Sequence, residues 1–277
     1  MSLAFYPPAR LSSVSEVLDL AFRIFKATLV KGLPYGICAV VAQWLPNIYD
    51  LGRGGTAAHP VLDASQPVRV VIFAAGVLLA LMAWSALLLR QRALIEHRPT
   101  SMALELGEAF RRLPSFFLAT VLFLVIVGGG FALLTVVPQQ YRVGLRFTLL
   151  VLGTYLAVLL SCTWPVVLLA RQGPLGALRQ SARLVWGNWW RTAAVYAVGA
   201  VVVIVVSILV GALITAIVSS LGAGITVSTS VFMEVATALG AVMAPFAGAL
   251  LLATFGDLRA RREGTDLQQR IAGLAVE

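Results

Sequence analysis

Six apolar stretches, each of roughly the 20 residues a helix needs to cross a bilayer, constrain this chain more than any motif in it. They cover residues 27–45, 68–89, 113–137, 147–170, 189–221 and 231–255. The fifth is the longest and is expected to tilt, bend or run past the bilayer. None alternates apolar and polar residues as barrel strands do, so the spanning elements are expected to be helices, which satisfy every backbone polar group internally. Composition agrees. Of the 277 residues, 60% are hydrophobic and 12% charged, against about 45–50% and about 25% in soluble domains. A water-soluble enzyme of this length could not hide so much apolar surface, and disorder requires the opposite composition. The predicted fold is all-α: a polytopic membrane domain over 27–255, an N-terminal segment 1–26 and a tail 256–277.

The net charge of +9 reads as a topology signal rather than a nucleic-acid footprint. All but four of the 21 Lys and Arg fall on one side of the six spans. That side holds the N-terminal segment, the connections between spans two and three and between four and five, and the tail. The exceptions are Arg53, Arg69, Arg142 and Arg146. By the positive-inside rule both termini are cytoplasmic. Residues 1–10 lack a basic region and an apolar core, so no cleavable signal is expected there and the first span stays in the protein.

The cytoplasmic segments carry helical patterns of their own. Over 13–26, Val14, Val17, Leu18, Ala21 and Phe25 share one face, with Glu16, Asp19, Arg23 and Lys26 opposite. Ser13 and Glu16 match a capping box. Residues 101–113 repeat the pattern, with Glu105, Glu108 and Arg112 on the polar face, and 174–186 do so again behind Pro174. Each reads as an interfacial amphipathic helix followed by a pair of spans. The chain thus reads as three parallel units beginning near residues 12, 100 and 173, a layout expected either of an internal repeat or of any even-span protein with short cytoplasmic helices. The connection 46–67, with Gly-Arg-Gly-Gly and three prolines, is expected to be a long outer loop. The outer connections 138–146 and 222–230 are short, and the tail is helical near 266–274.

No span carries an ionisable residue near its centre, which argues against a proton relay through Asp, Glu or His. Lys31 and Arg191 lie close enough to span ends to snorkel. Glu234 is either a water-exposed interface carboxylate or a buried group with Arg142 or Arg146 as partner; with Lys31 it is a candidate intramembrane polar site. The histidines His59 and His97 lie outside the spans, and no cluster has metal-ligand spacing. No catalytic residue, cofactor or metal is expected. Cys38 and Cys162 read as small buried residues, and Gly128–Gly130 as packing glycines. In span six, Ala236, Gly240, Ala244 and Gly248 recur every four residues beside Thr237, Ala241, Pro245 and Ala249, a small-residue stripe that lets helix backbones approach closely. Pro34, Pro165 and Pro245 fall within spans one, four and six, where they kink helices and could frame a crevice. Trp189, Trp190 and Arg191 open span five as an interfacial anchor. With Arg179 and Arg183 they could hold an anionic lipid head group.

The segment 164–191 pairs a span ending Trp-Pro-Val-Val-Leu-Leu-Ala with Ala-Leu-Arg-Gln-Ser-Ala-Arg-Leu-Val-Trp-Gly-Asn-Trp-Trp-Arg. It resembles the YciC-type bacterial inner-membrane proteins, and the membrane domain attached to some glycerophosphodiester phosphodiesterases. The resemblance implies a bacterial inner-membrane location and supplies no catalytic residues. The phosphodiesterase's soluble domain has no counterpart in this sequence. The expected role is a non-catalytic, lipid- or envelope-associated scaffold or accessory, with membrane lipids, alone or with a membrane or cytoplasmic protein, as partners and no nucleic acid. A permease for a neutral or amphipathic solute is the alternative.

Overall fold

The structure is a computed structural model that describes residues 13–52, 67–135, 137–220 and 225–263, with no side-chain placement for 225–237. Among the described residues it is all-helical: α1 (Val14–Gly52), α2 (Pro67–Ile95), α3 (Met102–Gly128) with a 3₁₀ turn over Gly129–Thr135, α4 (Gln139–Leu159), α5 (Thr163–Leu169), α6 (Pro174–Val185), α7 (Trp189–Ser220) and α8 (Ile225–Glu263). Six segments are long and apolar enough to cross a membrane, α4 and α5 together forming one of them. The chain is built as a multi-pass membrane protein.

Two of the three expected interfacial helices are not separate elements. The segment 13–26 is the first part of α1, because its apolar face stays in phase with the span. Val17, Ala21, Ile24, Thr28, Gly32, Tyr35 and Ala42 form one buried stripe along α1, and the helix runs on through Pro34. The capping box at its start is made: the Ser13 amide donates to Glu16 Oε2 at 2.6 Å, and the Glu16 amide to Ser13 Oγ at 3.2 Å. Likewise 101–113 runs unbroken into α3. Only α6 stands alone. Pro174 opens it, and Gly187, at φ +85°, turns the chain sharply after it; few residues other than glycine adopt that φ. Its buried face is Ala177, Leu178, Ser181, Leu184 and Val185, and Leu175, Arg179 and Arg183 are exposed. The connection expected as a loop over 46–67 shrinks from both sides, since α1 continues through Pro46 to Gly52; residues 53–66 and the tail beyond 263 lie outside the described residues. The outer connection 138–146 is helical from Gln139 on.

The fourth span is broken. Pro165 has no N–H and would crowd the carbonyl of Ser161 in a continuous helix, so α4 ends at Leu159, residues 160–162 form a turn, and Pro165 sits harmlessly in the first turn of α5. The break leaves the Leu159 carbonyl without a helical partner, and the buried Ser181 hydroxyl of α6 donates to it at 3.1 Å. Thr163 Oγ1 closes the Leu160 carbonyl at 2.6 Å.

The most extensive interface joins the first helix to the last, α1 to α8, ahead of α1–α2. Small residues and prolines make it. Pro245 frees the carbonyl of Ala241, four residues back, and Gly36 of α1 lies so close to that oxygen that any Cβ would collide with it. Pro46 frees the carbonyl of Ala42 in the same way, and Gly76 of α2 takes the matching place. These are close backbone contacts of the Cα–H···O kind. Gln91 then ties the three helices together: its Nε2 donates to the Pro245 carbonyl at 2.6 Å and to Thr28 Oγ1 at 3.2 Å. Gly248 leaves room for its Oε1.

Packing is uneven along the bundle. One core cluster collects Val17 and Ile24, Ile95, Phe116, Val166, Leu184, and Leu252 and Phe255 of α8, all near the arginine-rich ends of their helices. Toward the other end α7 exposes Val201, Ile204, Ile208 and Leu213, surface that suits hydrocarbon and not water. Replacing Gly36 by Val is expected to overpack α1 against α8 at a cost of roughly 1–3 kcal/mol, lowering the unfolding temperature in detergent. Gly144→Ala in α4, which meets nothing within 4 Å, is expected to leave it unchanged or raise it slightly.

Candidate functional site

The arginines assigned to one side of the membrane converge at one end of the bundle, and three carboxylates organise them. Glu105, 4% exposed, lies on the α3 face that the sequence pattern marks as polar, yet it points inward. The side chain that wins is Arg90 of α2, whose Nη1 pairs with Glu105 Oε1 at 2.8 Å and reaches Thr100 Oγ1 at 3.0 Å. Tyr35 of α1 and Thr100 both donate to the same carboxylate. A lone carboxylate in that position would be costly; here all of its neighbours are donors. Asp257 of α8, 3% exposed, accepts from Arg191 Nε at 3.2 Å and Arg261 Nε at 3.0 Å. Glu108 pairs with Arg112 at 2.5 Å, and Arg112 also donates to the Leu168 carbonyl at the end of α5, at 2.5 Å. The first of these links α1, α2 and α3, the second α7 and α8, and the third α3 and α5.

Beside these ties is a groove of about 620 Å³ between α6 and the end of α8, lined by Gln172, Arg179, Gln180, Arg183, Trp186 and Arg262 among others. Arg179 and Arg183 are one turn apart on the exposed face of α6 and have no acidic partner among the described residues. Arg262 donates to the Trp186 carbonyl from the α8 side. No carboxylate lines the groove. A smaller hollow of about 250 Å³ with Arg111, Arg112, Arg171 and Glu108 shares Gln172 with it, so the cationic surface is continuous across α3, α5, α6 and α8.

The structure divides the head-group cluster expected from sequence. Arg179 and Arg183 face the groove. Arg191 is held by Asp257 and does not line it. Trp189 stacks on Tyr155, with ring centroids 5.2 Å apart, and its Nε1 donates to the Tyr155 carbonyl at 3.0 Å; it packs α7 onto α4. Trp190 is 81% exposed. Lys31 is exposed, without an acidic partner among the described residues. Gly36 faces Ala241 and Gly32 faces Pro245, which puts Lys31 level with the Pro245 region. Glu234 is 11 residues from Pro245 in the sequence. The side chains of Glu234 and Ala236 lie outside the described residues. Of the remaining small-residue stripe, Gly240 and Ala244 line a cavity between α1, α2 and α8, and Gly248 adjoins Gln91; the neighbouring Ala241 and Pro245 are what meet α1. Cys38 is exposed and Cys162 buried, so the burial expected of both holds for Cys162 alone.

Sequence reasoning missed Gln91, Glu105 and Asp257. Each sits in or next to an apolar run with its partner on another helix (Thr28 and Pro245 for Gln91, Arg90 for Glu105, Arg191 for Asp257), a signal that needs the helix pairing to be read. Among the described residues no group of three or more His, Cys, Asp or Glu could hold a metal ion. Compared with known protein families, curated proteins and solved structures, the chain matches none.

Glu105→Ala leaves Arg90 uncompensated beside a buried position and is expected to cost about 3–5 kcal/mol. Tyr35→Phe is expected to cost less, and nothing further in the Glu105→Ala background. A double-mutant cycle on detergent unfolding checks this coupling.

Proposed function

We propose that this chain is a non-catalytic integral protein of a bacterial inner membrane, with both termini cytoplasmic, that engages anionic lipid at its arginine-rich end and serves as an accessory to lipid or envelope handling, alone or with a protein partner. The reading keeps the kinship of 164–191 with YciC-type proteins as part of the proposal. One observation carries it: Arg179, Arg183 and Arg262 line a groove with no carboxylate, beside the exposed Trp186. Guanidinium groups pair with phosphate oxygens two at a time, and a cationic surface at the membrane face attracts anionic head groups. At the same end Arg90, Arg112 and Arg191 are held by Glu105, Glu108 and Asp257 and Arg92 and Arg98 by Glu96, whereas Arg179 and Arg183 meet no carboxylate among the described residues, so cationic charge is left over in the groove. On this reading the amphipathic α6 lies in the interface, with its buried face on the bundle and Arg179 and Arg183 at head-group level.

A second reading, a permease for a neutral or amphipathic solute, is favoured by the broken fourth span and by the cavity between α1, α2 and α8, since interrupted helices line solute paths in several transporter folds. Uptake into reconstituted vesicles separates it from the first.

The double variant Arg179→Gln/Arg183→Gln is expected to carry at least twofold less phosphatidylglycerol and cardiolipin, relative to phosphatidylethanolamine, through purification in mild detergent. Arg142→Gln/Arg146→Gln, at the other end, is expected to carry the wild-type amount. An unchanged anionic fraction in the first variant rejects the proposal.

A further inference from the structure

The cavity between α1, α2 and α8 measures about 750 Å³ and lies away from the cationic groove, over residues 36–46 of α1, 73–84 of α2 and 240–244 of α8. It exists because the facing positions are small. Ala39, Ala80, Gly76, Gly240 and Ala244 leave space that ordinary core residues would fill. Gly240 makes the point: a Cβ there would meet only Val40 Cγ2, at 4.0 Å. Gln43 and the indole N–H of Trp84 are the polar side-chain groups in a lining that is otherwise aliphatic or aromatic, a surface that suits hydrocarbon better than water. An unfilled space forfeits dispersion contacts. Ile37, Val41 and Leu78 around it are exposed, and the medium at that depth of a spanning bundle is hydrocarbon.

Beyond the lining residues, on the side away from the arginine-rich core, α1 continues with polar side chains. Gln43, Pro46, Asn47 and Asp50 follow one another on a single face of α1 by helical spacing. Asn47 Oδ1 is buried and accepts no hydrogen bond among the described residues. One turn further, Asp50 Oδ2 lies 3.1 Å from Arg69 Nη2, on side chains 17% and 14% exposed. A buried amide oxygen without a donor marks a place where a donor belongs.

We propose that this cavity binds one acyl chain of a membrane phospholipid, entering from the leaflet at the Asp50–Arg69 end, with a head-group N–H or O–H donating to Asn47 Oδ1. The chain supplies the hydrocarbon the small residues leave room for, and the head group supplies the missing donor beside a zwitterionic side-chain pair. This site is separate from the groove at α6, and goes beyond the proposed function: it requires only that the bundle spans a membrane.

Trp84 lines the cavity and reports on it. A variant retaining Trp84 as the sole tryptophan, with Trp44, Trp164, Trp186, Trp189 and Trp190 replaced by Phe, is reconstituted into vesicles of phosphatidylethanolamine brominated at mid-chain. Strong quenching is expected, reduced at least twofold by Gly240→Leu or Ala80→Phe, both of which project into the cavity, with helicity by circular dichroism unchanged. Brominated phosphatidylcholine, whose head group has no donor, is expected to quench less. In the chain with all its tryptophans, native mass spectrometry is expected to show a retained phospholipid that Gly240→Leu and Asn47→Ala remove and Arg179→Gln/Arg183→Gln does not. Quenching unaffected by either filling variant would mean that Trp84 senses only surrounding lipid and would overturn the proposal. Equal quenching by the two head groups would overturn the role given to Asn47.

Discussion

A backbone carbonyl or amide left unpaired in hydrocarbon costs several kcal/mol, and that cost shapes this molecule. Its spans contain prolines and one outright break, each of which frees a carbonyl. The Ala241 and Ala42 carbonyls, freed by Pro245 and Pro46, are met by Gly36 and Gly76 of neighbouring helices. The Leu159 carbonyl, freed by the break before Pro165, is met by Ser181. Gln91 joins α1, α2 and α8 at the Pro245 kink. At Pro46, at Pro245 and at the break before Pro165, the backbone's departure from a straight helix is thus where helices attach to one another.

The arginine-rich end of the bundle holds most of the ionic ties. Glu105 and Asp257 each hold an arginine from another helix, and Arg112, paired with Glu108 on its own helix, reaches across to the Leu168 carbonyl of α5. The core is dense there because α5, α6, the start of α1 and the end of α8 all join it. The other end has fewer partners. Its helices present aliphatic side chains outward, and small residues leave a cavity between three of them. One end is thus built of specific polar contacts and the other of surface that a bilayer must cover. The cationic groove and the apolar cavity are what remains open in each half.

Much of the fold is legible in the sequence because bilayer thickness imposes a length. The six spans, the capping box at Ser13 and the isolation of α6 behind Pro174 follow from local chemistry. The segment 13–26 carries a clear apolar face, but whether it turns into the interface or continues as α1 depends on phase: the stripe from Val17 to Ala42 never slips, and α8 is long enough to accompany it. The break in the fourth span was signalled by Pro165, a residue that reads equally well as a tolerated kink. Of the candidate site, Arg179 and Arg183 were recognisable from their spacing on a two-faced helix. Arg191 was not separable from them until Asp257, 66 residues later, came within 3.2 Å. Glu105 looked solvated because its own helix pattern says so; its burial is decided by Tyr35 and Arg90, which one helix cannot reveal.

The account stands on the two ends of the bundle lying on opposite faces of a membrane. Single cysteines placed in a background lacking Cys38 and Cys162 test it, using a thiol reagent that cannot cross the bilayer, applied to intact and then to opened cells. Arg98→Cys and Arg179→Cys are expected to react from one side only and Gln140→Cys from the other side only. Reaction of Gln140→Cys from the same side as Arg98→Cys would contradict the topology and with it the roles given to the groove and the cavity.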